Sequence, residues 1–386
     1  MDSGSIGRWS WGVLTAVVAG LVAVVPVPAA AGRIDVHAHA NVGPGGTCPA
    51  VGDLITAMDG AGVEVMILMP TPFSVEATGQ VATADLEACF PEATYGDRIK
   101  LMYGGAELNT LLHAAGRYEK VTSSARWFPE EPDYGLYPNG CPGGLCDRYF
   151  DGADTAIQIE NEVTSGSTPR TYYDEFVALA EAAASSGRYL GFGEIGALHY
   201  SLYSGHPYIH FPVNHAWMKK LVDIAAAAPT PMVIDLHVEM TADTKTELEE
   251  LLRHNRSVNI VLEHAGWSTY GTATAAILSH MMAAHSNLYL ALKRCSHATP
   301  AGMNACYVDS TPSMVAEWVT LITTYADRIM IGTDAKYWVG ITPVETTMTN
   351  EFGRELQAVV DHFDASDPAV STSIQSGTAR ALFGLP

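Results

Sequence analysis

Short runs rich in Val, Ile and Leu alternate along the chain with longer stretches whose apolar residues recur at helical spacing. Continuous apolar runs of this length are typical of strands buried on both faces of a parallel sheet, and the stretches between them are typical of helices that cover it. Eight alternating units favour a (β/α)8 TIM barrel over an open doubly wound sheet, and no glycine-rich dinucleotide fingerprint follows the first strand. The eight predicted strands are Arg33–Val36, Val63–Met69, Ile99–Tyr103, Leu190–Glu194, Met232–Asp235, Asn259–Glu263, Asn287–Leu292 and Arg328–Ile331.

Two helix ends are marked by local sequence. Gly187 follows the predicted helix Tyr172–Ser186, where a glycine commonly accepts the left-handed conformation that ends a helix. Thr244 and Glu247 have the spacing of a capping box before the apolar residues of the next helix, so we expect Thr244 to be the N-cap.

The gap between Tyr103 and Leu190 is about twice as long as the other strand intervals. Because it follows the third strand, much of it emerges at the carboxyl end of the barrel, where barrel enzymes keep their active sites. We therefore predict that 105–170 is a lid-like insertion after strand 3, within one domain that covers 32–386.

Composition and charge narrow the class of function. The 386 residues are 48% hydrophobic and 16% charged, which excludes a disordered or collagen-like chain and indicates a large core. The formal net charge is −21, and a field of that sign repels phosphate backbones and anionic membrane surfaces. We expect a small-molecule substrate and no nucleic-acid partner, and we leave open whether the protein forms a homo-oligomer.

The first 31 residues have the features of a signal peptide. Arg8 precedes an apolar run, Trp11–Val25, that is shorter than the roughly 20 residues of a membrane-spanning helix. Small residues around Ala29–Ala31 suit signal peptidase. We predict cleavage near Ala31 and a secreted or periplasmic protein without stable membrane association, the alternative being an uncleaved membrane anchor.

Cysteine usage agrees with export. The chain has six cysteines, and six thiols allow about 15 pairings, among which the sequence does not choose by itself. Short loops suggest pairing Cys141 with Cys146 and Cys295 with Cys306, which leaves Cys48 for Cys89. The alternative is a zinc site, but no cysteine pair has the two-residue spacing of zinc ribbons.

Histidine and acidic residues recur where the predicted strands end. His37 and His39 are two residues apart, so both side chains point to one face of the first strand and can share a metal ion. In a parallel barrel the other strand ends converge on the same face. Imidazoles and carboxylates together suit zinc, with manganese or Fe(II) as alternatives. The further residues at strand ends are Glu194, His237, His264 and Asp334.

With these motifs the chain resembles the amidohydrolase superfamily of metal-dependent barrel hydrolases, and most of all its amidohydrolase-related (amidohydrolase 2-like) family. The resemblance covers about residues 33–386 and includes the segment Thr56–Val63 before the second strand and the ending Thr378–Gly384. It implies that His37, His39 and Asp334 bind a first metal ion and that His237 is a further ligand.

The resemblance is compatible with either one or two metal ions. His264 matches a histidine that binds a second ion in binuclear members and polarises the substrate in mononuclear ones. Glu194 stands where some subtypes carry a carboxylated lysine, and it is more similar to the bridging glutamate of the TatD-like hydrolases. Those enzymes act on DNA, which the net charge of this chain disfavours.

The reaction that this site predicts is metal-assisted hydrolysis of a C–O or C–N bond in a small lactone, ester or amide. Zinc can lower the pKa of a bound water from about 15.7 to about 7, and Asp334 beside it could accept its proton. Arg294 after the seventh strand could bind a substrate carboxylate, and His199 could line the barrel mouth. The alternatives are a metal-dependent decarboxylase of an aromatic-type acid and a secreted metal-binding barrel without catalysis.

Overall fold

All eight predicted strands are confirmed in the computed structural model, which describes residues 32–40, 42, 46–72, 82–105, 107–112, 170–199, 209–265, 273–293, 306–309, 313–337 and 348–386. The third of them is interrupted at Met102 and is counted as two strands. The strands are β1 Arg33–Ala40, β2 Val63–Leu68, β3 Ile99–Leu101, β4 Tyr103–Gly104, β5 Gly191–His199, β6 Ile209–His210, β7 Val233–Val238, β8 Ile260–Ala265, β9 Leu288–Leu292, β10 Ile329–Ile331 and β11 Ala335–Tyr337.

The sheet closes on itself. Its strand order is β3-β2-β1-β10-β9-β8-β7-β5-β4, and the neighbouring strands along this path are parallel. The two ends of the path, β3 and β4, are separated in sequence by Met102 alone, whose N–H donates to the Leu68 carbonyl at 3.0 Å. On the other side the Leu190 N–H donates to the Leu101 carbonyl at 3.0 Å. The fold is therefore the predicted (β/α)8 barrel, and β6 and β11 are short additions that the sequence did not predict.

Helices cover the outside of the barrel. Among the helices of the described residues, none combines the length and the apolar character that crossing a membrane requires. A 3-10 turn, Ala326–Arg328, and a π-helical turn, Ser373–Gly377, join neighbouring elements near the C-terminus. The helices are α1 Val51–Gly60, α2 Thr83–Cys89, α3 Glu92–Tyr95, α4 Arg170–Ser186, α5 Ala216–Ala227, α6 Ala242–His254, α7 Ala275–Ala284, α8 Ala316–Thr324, α9 Met348–Ser366, α10 Pro368–Thr372 and α11 Thr378–Phe383.

One of the two helix-end predictions is confirmed and the other is wrong. Gly187 follows α4 with φ +68°, the left-handed conformation expected of a terminal glycine. The N-cap of α6 is Thr241 and not Thr244. Thr244 instead takes the third helical position, where its hydroxyl accepts the Thr241 N–H at 2.8 Å while the Thr241 hydroxyl accepts the Thr244 N–H at 3.1 Å. The N-cap lies three residues before the predicted one, because the Thr244 hydroxyl accepts the hydrogen bond that a glutamate side chain accepts in the usual capping box.

Side chains that point into the barrel form an apolar layer, and the polar residues at the mouth of the barrel lie next to this layer. Val233, Asp235 and His237 follow one another at two-residue spacing on β7, so their side chains share a face. Val233 packs in a buried cluster with Val261 and Met330 from neighbouring strands. The order on this face of β7 is thus apolar first and ionisable last, which places Asp235 and His237 toward the carboxyl end of the strand.

A disulfide joins Cys48, which follows β1, to Cys89, the last residue of α2. This confirms that predicted pair and excludes zinc thiolate ligation by these two sulfurs. Cys306 is also disulfide-bonded. Cys141, Cys146 and Cys295 lie outside the described residues, as do the predicted signal peptide and most of the predicted insertion 105–170, of which 107–112 is helical.

Candidate metal centre

The barrel brings together the six residues that the sequence predicts as metal ligands. His37 and His39 lie on β1, Glu194 on β5, and His237 on β7. Their side chains are at most 3% exposed. The remaining two are His264 on β8 and Asp334 between β10 and β11, with side chains 9% and 6% exposed.

His39 presents one ring nitrogen to two carboxylates. Its Nδ1 lies 2.9 Å from the Met69 carbonyl oxygen, and because a carbonyl only accepts, Nδ1 carries the proton. Its Nε2 is 3.2 Å from Glu194 Oε2 and 3.2 Å from Asp334 Oδ1. Burial acts to lower the pKa of His39, but hydrogen bonds with Asp334 and Glu194 outweigh it and raise the pKa to about 9. These two carboxylates therefore favour a cation at the Nε2 side of His39.

Glu194 is central to the cluster because each of its oxygens meets a different histidine. Oε1 is 2.7 Å from His237 Nδ1, and Oε2 lies 3.2 Å from His39 and 3.7 Å from His37. Burial acts to raise the pKa of Glu194, but the charge of His37 and the hydrogen bonds of His237 and His39 hold it well below its ordinary value. Burial acts to lower the pKa of His237, but the hydrogen bonds that it donates to Glu194 and Glu239 outweigh burial and raise the pKa to about 9.

Asn109 braces the strand that carries Glu194. Its side-chain Nδ2 donates to the Glu194 carbonyl at 2.8 Å, and its Oδ1 accepts the Gly196 N–H at 3.0 Å. Asn109 is fully buried and lies in the helical segment 107–112. β5 runs on to His199, so Glu194 lies inside the strand and not at its end as predicted.

The two carboxylate oxygens of Asp334 contact different partners. Oδ1 faces His39 at 3.2 Å and His37 at 4.0 Å, whereas Oδ2 faces His264 Nε2 at 3.6 Å and forms an ion pair with the Lys293 ammonium. Burial acts to raise the pKa of Asp334, but the charges of Lys293 and Lys336 hold it well below its ordinary value. Asp334 is therefore an ionised carboxylate.

Two site residues have left-handed backbone conformations, His264 with φ 59° and Asp334 with φ 55°. Residues other than glycine seldom adopt this conformation, and it costs about 1 kcal/mol or more where the side chain offers no local compensation. On β8 the pairing register with β9 shifts between Leu262 and Ala265, at His264. This irregularity lets Glu263 and His264, although adjacent in sequence, both face the cluster around His37.

His264 differs from the other histidines in charge. Burial, together with the charges of Lys293 and His237, holds its pKa well below the ordinary value, so its imidazole is neutral at neutral pH. Its ring lies against those of His237 and His37, with centroids 4.3 Å and 5.5 Å away. A neutral imidazole can serve as a metal ligand or as a hydrogen-bond donor to a substrate oxygen.

The donor set fits a divalent cation. Ligand atoms of His37, Glu194 and His264 lie within 4.8 Å of one another, and so do those of His37, His39 and Asp334. Two ligands on one zinc ion, each about 2.0–2.2 Å from it, are themselves about 3–4 Å apart, which is close to the separations seen here. His37 Nε2 is buried and has no hydrogen-bond partner among the described residues, so its lone pair is available to a metal ion.

Several ionisable residues of the same cluster were not predicted from sequence. Asp235 and Glu263 lie 3.3 Å and 3.2 Å from His37 Nδ1, and Glu239 lies 3.8 Å from His237 Nε2. The Asp-x-His-x-Glu alternation from Asp235 to Glu239 could have indicated two of them, because it puts Asp235 and His237 on one face of β7 and continues at the same spacing to Glu239, directly after the strand. Burial and the nearby Asp235 raise the pKa of Glu263 well above its ordinary value.

The predicted substrate-binding residues stay predictions. Arg294 lies outside the described residues, and for His199 the structure describes the backbone at the end of β5 but not the side chain. The neighbouring Lys293, which the structure does describe, brings a cation to the site and pairs with Asp334. Its backbone carbonyl accepts the hydroxyl of the fully buried Tyr307 at 2.9 Å, which anchors the end of β9.

A family model matches more than half of the chain. A family model described as Amidohydrolase matches residues 148–385, a range that includes Glu194, His237, His264 and Asp334. A search among curated proteins gives no match.

Three solved structures resemble the chain at low sequence identity. A zinc-bound amidohydrolase from Burkholderia multivorans is 12% identical with a TM-score of 0.45, over 92% of this chain and 99% of that one. Amidohydrolase 2 from Bifidobacterium longum subsp. infantis is 10% identical with a TM-score of 0.43, over 92% and 100%. An uncharacterized amidohydrolase from Saccharomyces cerevisiae is 10% identical with a TM-score of 0.48, over 91% and 100%.

Proposed function

The chain belongs to the amidohydrolase family and is a metal-dependent hydrolase, and from that premise we propose that it opens a C–O or C–N bond beside a carbonyl group in a small molecule. Lactones, esters and amides are the substrate classes of this proposal. The observation that carries it is the buried cluster in which His37, His39, Glu194 and Asp334 face one another at the mouth of the barrel.

We propose that His37, His39, His237 and Asp334 hold one divalent ion and that Glu194 and His264 complete a second position if two ions bind. Zinc is the first choice, since imidazole and carboxylate ligands in these numbers suit it, and manganese and Fe(II) are the alternatives. Such an ion acts as a Lewis acid that lowers the pKa of a water molecule to about 7 and polarises a carbonyl oxygen.

The side chains of the site then supply proton transfer and orientation. In this proposal Asp334 accepts a proton from the attacking water as the new C–O bond forms, and gives it to the leaving oxygen or nitrogen as the scissile bond breaks. Its pKa, held well below the ordinary value, keeps it ionised, as an acceptor must be. The neutral His264 is placed to donate a hydrogen bond to the carbonyl oxygen, on which negative charge develops.

Charge favours hydrolysis of a neutral substrate over decarboxylation of an acid. Several buried carboxylates surround the cluster, and the Lys293 ammonium is already paired with Asp334. Away from the metal ion itself, a substrate carboxylate would meet the negative charge of these side chains at short range, whereas a neutral lactone, ester or amide would not. The carboxylates concerned are Asp35, Glu194, Asp235, Glu239 and Asp334.

The deciding experiment is a turnover assay of the purified full-length protein on a panel of lactones, esters, amides and aromatic acids. The protein is assayed as isolated, after removal of metal by a chelator, and after zinc, manganese or Fe(II) is restored. We expect chelator-sensitive hydrolysis that returns with the metal. Release of CO₂ from the aromatic acids without hydrolysis of the other classes would establish decarboxylation instead. Stoichiometric metal without any turnover on the panel would favour the binding-only barrel.

We also propose that the mature protein is exported. The Cys48–Cys89 disulfide supports this, because structural disulfides persist in oxidising compartments. Mass spectrometry of the exported protein tests the proposal. The expected result is a mature chain that begins near Gly32 and carries at most one alkylatable thiol before reduction. An intact N-terminus in a membrane fraction would establish the anchor instead.

A further inference from the structure

The imidazole of His37 contacts acidic groups on both of its sides. On one side Nε2 faces Glu194 and Asp334 at 3.7 Å and 4.0 Å. On the other side Nδ1 lies 3.3 Å from Asp235 Oδ2, with which it forms a hydrogen bond, and 3.2 Å from Glu263 Oε2. Asp235, Glu263 and His37 are each at most 3% exposed, so these contacts are made without competition from bulk water.

The Asp235 hydrogen bond decides which nitrogen of His37 carries the proton. A carboxylate oxygen is a hydrogen-bond acceptor, so in this contact the Nδ1–H of His37 donates to Asp235 Oδ2. In a neutral imidazole the other nitrogen then has a lone pair and no proton. That nitrogen is Nε2, which has no hydrogen-bond partner among the described residues and faces Glu194 and Asp334. The hydrogen bond of Nδ1 to Asp235 thus leaves the Nε2 lone pair on the other side of the ring available to a cation.

Packing fixes the orientation of the same ring. A Cβ atom at Gly332 would lie 3.0 Å from His37 Cβ and 3.2 Å from Glu263 Oε2, and one at Gly193 would lie 2.7 Å from Asp235 Cβ. Only the absence of a side chain at these two positions lets the three groups approach so closely. The His37 N–H also donates to Asp35 Oδ1 at 3.3 Å, which ties the backbone of this residue to its own strand.

We propose that Asp235, supported by Glu263, is a positioning residue of the metal centre: it holds His37 with Nδ1 protonated and so presents the Nε2 lone pair to the metal ion. This inference rests on the metal centre of the proposed function, but it assigns a role to two residues that are not themselves among the proposed ligands. Partners of this kind commonly change metal affinity by about 10–100-fold when they are removed.

The experiment compares metal affinity in three variants by competition with a chelator. Asp235→Leu removes both acceptor oxygens, whereas Asp235→Asn keeps one. We expect zinc affinity to fall about 10–100-fold in Asp235→Leu and clearly less in Asp235→Asn. The matched control is Asp223→Leu, which breaks an exposed Asp–His contact, 2.9 Å to His254, away from the site and should leave affinity unchanged.

A spectroscopic readout separates positioning from general damage. In the cobalt-substituted protein the Nδ1–H of a histidine ligand gives a strongly shifted, exchangeable proton signal. We expect the His37 signal to exchange slowly with solvent in the wild type and rapidly, or not to be visible, in Asp235→Leu. Thermal unfolding of each metal-free variant shows whether it folds, and Glu263→Gln replaces Asp235→Leu if the latter does not.

The outcomes separate this inference from the proposed function. A wild-type protein that binds no divalent ion overturns both. Metal binding with equal affinity in the wild type, Asp235→Leu and Glu263→Gln overturns the positioning role alone. Loss of one whole equivalent of metal, with the remaining affinity unchanged, would instead show that Asp235 and Glu263 bind a second ion directly, and this too overturns the positioning role.

Discussion

His39 lies on the first strand of the barrel and Asp334 in the link between β10 and β11 at the other end of the chain, yet His39 Nε2 lies 3.2 Å from Asp334 Oδ1. Backbone pairing sets this distance. The Asp334 N–H donates to the His37 carbonyl at 2.9 Å, and β11, which follows at once, pairs in parallel with β1 at Ala38 and His39. The candidate metal centre therefore depends on closure of the barrel at this seam.

Loss of both histidines on β1 should release the metal ion. In a His37→Ala, His39→Ala double variant the remaining groups cannot supply three protein ligands around one ion. Metal analysis of the purified protein tests this, with His280→Ala, an exposed histidine on α7, as the control. Metal content equal to that of the wild type would remove both histidines from the proposed ligand set.

Replacement of Asp334 by asparagine should lower kcat by about 10²–10⁴-fold for the hydrolytic substrate, because the amide cannot accept the water proton at neutral pH. In free energy of activation this loss is roughly 3–5 kcal/mol. The measurement is kcat at saturating substrate and saturating metal, together with the metal content of the variant.

Metal content decides how that result is interpreted. Asp334 Oδ1 faces two histidines, so the substitution could empty the site without showing anything about proton transfer. A variant with wild-type metal content and wild-type kcat contradicts the catalytic role of Asp334. A variant that has lost its metal shows that the carboxylate is needed as a ligand.

Gly332→Ala should destabilise the fold and weaken metal binding. The added Cβ would lie 2.9 Å from Ala291 Cβ and 3.0 Å from His37 Cβ, closer than packed carbon atoms normally approach. Overpacking of this kind costs about 1–3 kcal/mol. Denaturant unfolding and metal titration measure the two effects.

The control for that substitution is Gly52→Ala on α1, where a Cβ meets nothing within 4 Å. Alanine at an exposed helical position should instead stabilise the protein, by about 0.5–1 kcal/mol. Equal stability of Gly332→Ala and the wild type would show that the strands around Gly332 move apart without cost.

Removal of the Cys48–Cys89 disulfide should lower the free energy of unfolding. The bond links residues 41 apart in sequence, and cross-links over loops of this size contribute about 2–4 kcal/mol, mainly by restricting the unfolded chain. The measurement is denaturant unfolding of a Cys48→Ser, Cys89→Ser variant beside the wild type without reductant. An unchanged unfolding midpoint would show that α2 is held by its apolar contacts alone.

The fold follows from local sequence because its signals are local. Most of the predicted strands are short apolar runs, and alternation on β1 is enough to place His37 and His39 on one face. Once eight such units are recognised, the geometry of parallel barrels requires that their carboxyl ends meet. The family and the set of candidate ligands could therefore be inferred from sequence alone.

The contacts between individual atoms of these residues depend on the tertiary structure and could not be predicted from sequence. The two nitrogens of His37 face different carboxylates, and Lys293 pairs with Asp334, a contact that was not predicted from sequence. Glu263 and His264 both face the cluster only because His264 has a left-handed backbone, which breaks the alternation that sequence reasoning relies on. Sequence periodicity specifies the face of a strand, whereas tautomer, pairing and charge depend on neighbours from other strands. Those neighbours are brought together only when the barrel closes.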